Sequence, residues 1–181
     1  MESESADEVW MRLALKEAHC ALSEDEVPVG CVLLDSSGTV IGRGHNRTNQ
    51  SCDPTQHAEL VALAPLLESG EIAKLRTVHT LVVTIEPCLM CAAALRLLGH
   101  RLHRVVFGAR NERFGGAGTV AQILMRPDLQ TECGQTEMAP LHMTEGILSG
   151  EAVAVLKNFY SRENVKFAPE EKRRKKEGKK E

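Results

Sequence analysis

Val78-His79-Thr80-Leu81-Val82-Val83-Thr84-Ile85-Glu86-Pro87-Cys88-Leu89-Met90-Cys91 is the stretch on which the fold turns. Its first eight residues are β-branched and nearly all apolar, which reads as a buried strand. Pro87 breaks that strand. Cys88 to Leu98 then reads as a helix that stops at Gly99.

Working outward, Val29-Gly30-Cys31-Val32-Leu33-Leu34 is a second buried strand. Asp35-Ser36-Ser37-Gly38 is turn chemistry, and Thr39-Val40-Ile41-Gly42 returns, so the two predict an antiparallel hairpin. Upstream, Trp10, Leu13, Ala14, Ala18 and Ala21 recur at helical spacing, and Ser23-Glu24-Asp25-Glu26 ends that helix. Residues 44–56 are polar and read as a loop. A helix starts near His57, with Pro65 set to kink or end it. Val105-Val106-Phe107-Gly108 is another strand, and a last helix spans about Glu151 to Arg162. Strands alternating with helices predict an α/β layered fold, and the hairpin makes its sheet mixed.

The chain has 181 residues, 43% hydrophobic and 26% charged, which suits one domain plus a tail and excludes collagen, coiled-coil rods and wholesale disorder. Residues 1–8 hold four acids and are expected to fray, 9–168 form the domain, and 169–181 form a basic, disordered tail. With a net charge of −3 and 3% aromatics, a basic, aromatic-rich platform for single strands is not the first reading. That charge sums two regions, −6 over residues 1–169 and +3 over 170–181. No segment approaches the roughly 20 apolar residues of a membrane span. The acidic start is no secretory signal, so the chain is expected in the nucleus or cytoplasm. Six cysteines in such a compartment read as thiols or metal ligands.

Cys88 and Cys91 are three apart at a helix start, which puts both sulfurs on one side. The helix N-terminus favours thiolates. His57 can supply a third ligand, and three protein ligands leave one position of a tetrahedral zinc open, the mark of a catalytic site. The set of one imidazole, two thiolates and zinc is neutral overall. Glu59, aimed into the same pocket, can move a proton to and from an activated water. The bland alternatives are an incidental or redox CxxC pair, and a closed structural site built from Cys52, His57, Cys88 and Cys91, which would leave Glu59 without work. Cys20, Cys31 and Cys133 read as core or free thiols.

The H-x-E of His57-Ala58-Glu59 followed by Pro87-Cys88-Leu89-Met90-Cys91 resembles the signature of zinc nucleoside and nucleobase deaminases. Val27-Pro28-Val29-Gly30, Gly44-His45-Asn46-Arg47, Asp53-Pro54-Thr55-Gln56-His57 and Val105-Val106-Phe107-Gly108-Ala109-Arg110 extend the likeness, in order and spacing, to the tRNA adenosine deaminases. It covers about Val9 to Arg162. Within that family the chain resembles the catalytic subunits of the eukaryotic heterodimeric enzymes, whose partner subunits lack the carboxylate matched by Glu59.

The resemblance implies a three-layer, cytidine-deaminase-like fold, a five-stranded mixed sheet with helices on both faces. It implies one catalytic zinc per chain and hydrolytic deamination of adenosine to inosine at the tRNA wobble position. It places Glu59 as proton shuttle, His57, Cys88 and Cys91 as ligands, and Val29, Pro28, Gly30, Asn46, Pro87 and Asn111 around the base. It further implies a tRNA anticodon loop as substrate and a related, non-catalytic partner subunit. Three features depart from the bacterial pattern: Asn111 stands where that pattern has Asp, residues Leu129 to Met138 are longer, and the tail is extra. Lys172, Arg173, Arg174, Lys175 and Lys176 of the tail read as a solvated extension, an RNA-contacting arm or a nuclear-localisation patch. A deaminase of free cytosine, deoxycytidylate or guanine shares the core motifs. So does a zinc scaffold that only positions RNA, which Glu59→Ala separates from an enzyme.

Overall fold

A computed structural model describes residues 4–68, 72–98, 101–125 and 141–162. The basic run Lys172–Lys176, the long segment Leu129–Met138 and Gly99 lie outside them. The described residues form eleven elements. These are α1 (Ala6–Ser23), β1 (Gly30–Leu34), β2 (Val40–His45), α2 (Thr48–Ser51), α3 (Ala58–Glu68), α4 (Ile72–Leu75), β3 (Thr80–Ile85), α5 (Leu89–Arg96), β4 (Arg104–Ala109), β5 (His142–Glu145) and α6 (Ser149–Ser161). The sheet runs β2-β1-β3-β4-β5. β1 is antiparallel to both β2 and β3, whereas β3–β4 and β4–β5 are parallel, so the sheet is five-stranded and mixed.

Two cores follow from the period-2 alternation of side chains. Cys31, Leu33, Leu81, Val83, Val105 and Phe107 face one side, against Ala62 and Leu66 of α3 and Ala92 and Leu95 of α5. Val32, Leu34, Val82 and Val106 face the other, against Met11, Ala14, Leu15 and Ala18 of α1 and Ala152 and Val155 of α6. Helices on both faces make three layers. Two glycines set the approach of helix to sheet. A Cβ on Gly30 would collide with backbone of Ala14 and Ala18 in α1, and one on Gly44 with backbone of Ala58 and Ala62 in α3. Among the described residues, no helix is long and apolar enough to cross a membrane.

The N-terminus corrects one expectation. Residues 5–8 do not fray: Ser5 caps α1 in a reciprocal capping box with Glu8. Asp7 accepts two hydrogen bonds from the Arg104 guanidinium, at 2.8 and 2.6 Å, which ties α1 to the start of β4. Pro65 lies inside α3 and does not end it. Residues 44–56 are not wholly loop either, since Gly44 and His45 complete β2 and Thr48–Ser51 close one short helical turn.

Candidate metal centre and active site

The chain brings its chemistry-bearing residues to one end of the sheet. β2 delivers Asn46 there, β3 delivers Glu86 to Cys91, β4 delivers Arg110 and Asn111, and Val29 enters β1 from the same end. Carboxyl ends of parallel strands are where α/β sheets bind ligands.

His57 immediately precedes α3, and Glu59 lies in its first turn. Cys88 is the N-cap of α5, in extended backbone, and Cys91 lies one turn inside it. His57 Nδ1 stands 3.5 Å from the sulfurs of both Cys88 and Cys91. All three donor atoms lie within 4.8 Å of one another. A tetrahedral zinc with ordinary bond lengths holds sulfur and nitrogen donors ~3.6 Å apart, so the residues fit that ion. Cys52 is not in this group. It is exposed, sits at φ 54°, and turns its sulfur to the Asn49 carbonyl at 3.8 Å. The four-ligand structural site is therefore not built.

The Cys88 thiol is pushed down to about 4, first by its hydrogen bond with Cys91 and then by His57, against the cost of burial. Cys91 is held protonated, by its hydrogen bond to Cys88 first and by burial second. The His57 imidazole is raised by its hydrogen bond to Cys88. Glu59 is 3% exposed, and burial raises its carboxyl above the ordinary range, helped by the charge on Cys88. A carboxyl so placed can take up and release protons.

His57, Glu59 and Cys88 open on a cavity of about 450 Å³ that Val29, Asn46 and Asn111 also line. Asn46 is buried, and its Oδ1 accepts the Ala58 N–H at 2.9 Å. That bond fixes the amide plane and leaves the NH2 group as a donor. Asn111 Oδ1 accepts the N–H groups of Phe114 at 3.1 Å and Arg113 at 3.4 Å, so it shapes its own loop. Pro28, Gly30 and Pro87 do not line the cavity. Pro28 is buried. Gly30 packs beneath α1 and donates its N–H to Thr84 Oγ1 at 3.2 Å. The Pro87 carbonyl accepts the Gly116 N–H at 2.8 Å.

Sequence reasoning missed the rim. Phe114 and Tyr160 line the cavity and are 60% and 70% exposed. They are two of only six aromatic residues in the chain, so their scarcity was the available signal. It also missed two buried acids, Glu26 and Glu86. Glu26 accepts the N–H groups of Asn49 at 3.0 Å and Gln50 at 2.7 Å, which anchors the turn between Asn46 and His57. No residue pattern announces a buried Glu, since acids are mostly exposed.

The model of the cytidine and deoxycytidylate deaminase zinc-binding region matches residues 4–109. The chain is 40% identical over 175 residues to a tRNA-specific adenosine deaminase 2 of Xenopus laevis, covering 93% of each chain. It is 42% identical over 159 residues to the tRNA-specific adenosine deaminase subunit tad2 of Schizosaccharomyces pombe, covering 88% of this chain and 38% of that one. A solved structure from studies of A-to-I editing at the wobble position of transfer RNA superimposes with a TM-score of 0.67 at 33% identity. It covers 81% of this chain and 98% of that one.

Proposed function

We infer the function from one premise: the chain belongs to the zinc-binding cytidine and deoxycytidylate deaminase family, and within it to the tRNA-specific adenosine deaminases. It is a zinc-dependent enzyme that hydrolyses adenosine to inosine and ammonia at the wobble position of tRNA anticodons. The observation that carries this reading is that Glu59 opens on the same cavity as His57 and Cys88, beside the oriented amide of Asn46.

His57, Cys88 and Cys91 hold the zinc. When bound, that ion lowers the pKa of a water, which makes it a nucleophile for the ring carbon bearing the amine. Glu59 takes one proton from the water and delivers it to the adjacent ring nitrogen. It then takes the second proton, from the hydroxyl newly added to the ring carbon, and delivers it to the leaving amine, which departs as ammonia as the C–N bond breaks and the carbonyl forms. The Asn46 NH2 donates to an acceptor on the base edge, and Val29 packs against the ring. Phe114 and Tyr160 stack nucleotides beside the extruded base, which an anticodon loop presents at low cost in unstacking.

The chain acts as the catalytic subunit of a heterodimer with a related, non-catalytic partner. Leu89, Ala93 and Leu97 support this reading: they recur every fourth residue on the outer face of α5 and are all exposed, Leu97 at 71%. Val120 and Met125 are further exposed apolar residues. Lys172, Arg173, Arg174, Lys175 and Lys176 add a phosphate-contacting arm, and the complex works in the nucleus or cytoplasm. The test incubates tRNA with this chain alone and with its partner, then reads inosine at the wobble position. Inosine only with both supports the heterodimer, and inosine from neither overturns the reading.

A further inference from the structure

Glu86 plays none of these roles, yet it is 2% exposed. A buried carboxylate is costly unless its oxygens are satisfied. Here a single loop satisfies them. Oε2 accepts the N–H of Asn111 at 3.0 Å. Oε1 accepts the N–H groups of Ala117 at 3.0 Å and Thr119 at 3.2 Å. The loop is pressed against the acid, because a Cβ on Gly115 would stand 2.5 Å from its Oε2. Two backbone bonds dock the same loop on the turn that carries Cys88: Leu89 N–H to Phe114 O and Gly116 N–H to Pro87 O, both 2.8 Å. The loop in turn supplies Asn111 and Phe114 to the catalytic cavity.

We propose that Glu86 is a positioning residue for the substrate: its carboxylate clamps the 110–119 loop in the form that presents Asn111 and Phe114 to the RNA strand. The role rests on the reading above that the cavity takes an RNA nucleotide. Three N–H donors converge on one acid from one loop, and removing their shared acceptor leaves them unsatisfied. A glutamine of the same shape turns an NH2 group toward at least one of those donors, so it cannot hold the loop.

The test compares wild type, Glu86→Gln, Glu86→Asp and Gly115→Ala in the active full-length enzyme. Glu86→Gln is expected to raise KM for an anticodon stem-loop about tenfold, with kcat within about threefold and zinc content unchanged. Amide exchange of Asn111, Ala117 and Thr119 should quicken at least tenfold, with β4 unaffected. Glu86→Asp keeps both oxygens and should recover part of the KM. Gly115→Ala pushes the loop off the acid from the other side and should reproduce the KM effect without touching β3 or α5. Unchanged KM and unchanged exchange in Glu86→Gln overturn the proposal. So does a Glu86→Gln that loses zinc and protection throughout β3 and α5 while Gly115→Ala leaves KM alone. The two readouts fail separately: absence of inosine with wild type sinks the functional reading, while amide exchange still decides the clamp.

Discussion

At the scale of single residues, the proposed site separates holding a metal from moving a proton. Among the described residues the group that could hold a metal is His57, Cys88 and Cys91, without Glu59, so Glu59→Gln should retain zinc and lose activity by about 10³-fold, within the range general acid–base catalysis spans. Zinc analysis and single-turnover rates on one preparation check this, and loss of zinc would refute the division. Cys88→Ser removes a thiolate whose pKa is already about 4 and should lose most of the metal. At the rim, Phe114→Ala and Tyr160→Ala should each raise KM for the stem-loop about tenfold, because stacking contributes roughly 1–3 kcal/mol per base.

At the scale of elements, close packing of helix on sheet makes small residues decisive. Gly44→Ala forces β2 away from α3, the helix that carries Glu59, and overpacking of this kind costs about 1–3 kcal/mol. Thermal unfolding should show it, with activity falling alongside. The starts of β3 and β4 carry a second, pH-dependent strain. His79 stacks on His103 with ring centroids 4.7 Å apart. Burial first, then His103 and Arg104, hold the His79 imidazole below its ordinary value. The unfolded chain therefore binds a proton at higher pH than the folded one. Stability should fall as pH drops below about 6.5 towards the lowered folded value. The Tm of His103→Asn should fall less than that of wild type between pH 7 and 5.5.

At the scale of the whole molecule, metal and partner are both expected to be part of its stability. A ligand that binds only the folded state stabilises it by mass action, so a chelator should lower the Tm of the purified chain. Leu97→Asp, at the C-cap of α5, places a charge at the end of its exposed apolar stripe and should release the proposed partner subunit while leaving zinc content intact. Size-exclusion profiles of the mixed subunits check this, and co-elution would count against that surface.

Much of this was legible in the chain because it is written in short range. Periodicity marks α1, the β1–β2 hairpin, β3, α5 and α6, and the spacing of His57, Glu59, Cys88 and Cys91 announces a metal chemistry. β5 was not legible, since its four residues are half exposed and its place in the sheet comes only from pairing with β4. α2 and α4, at four residues each, are too short to show a period. The sequence by itself pointed to the candidate donor set and the layered fold, because each depends on residue type and local spacing, and its class of reaction followed from the resemblance of those motifs to a known family. The tertiary structure alone decided that Cys52 stays out of the site, that Phe114 and Tyr160 stand at its mouth, and that Glu26 and Glu86 are buried clamps. Those facts depend on which distant backbone amides and surfaces meet, and no local pattern encodes such meetings.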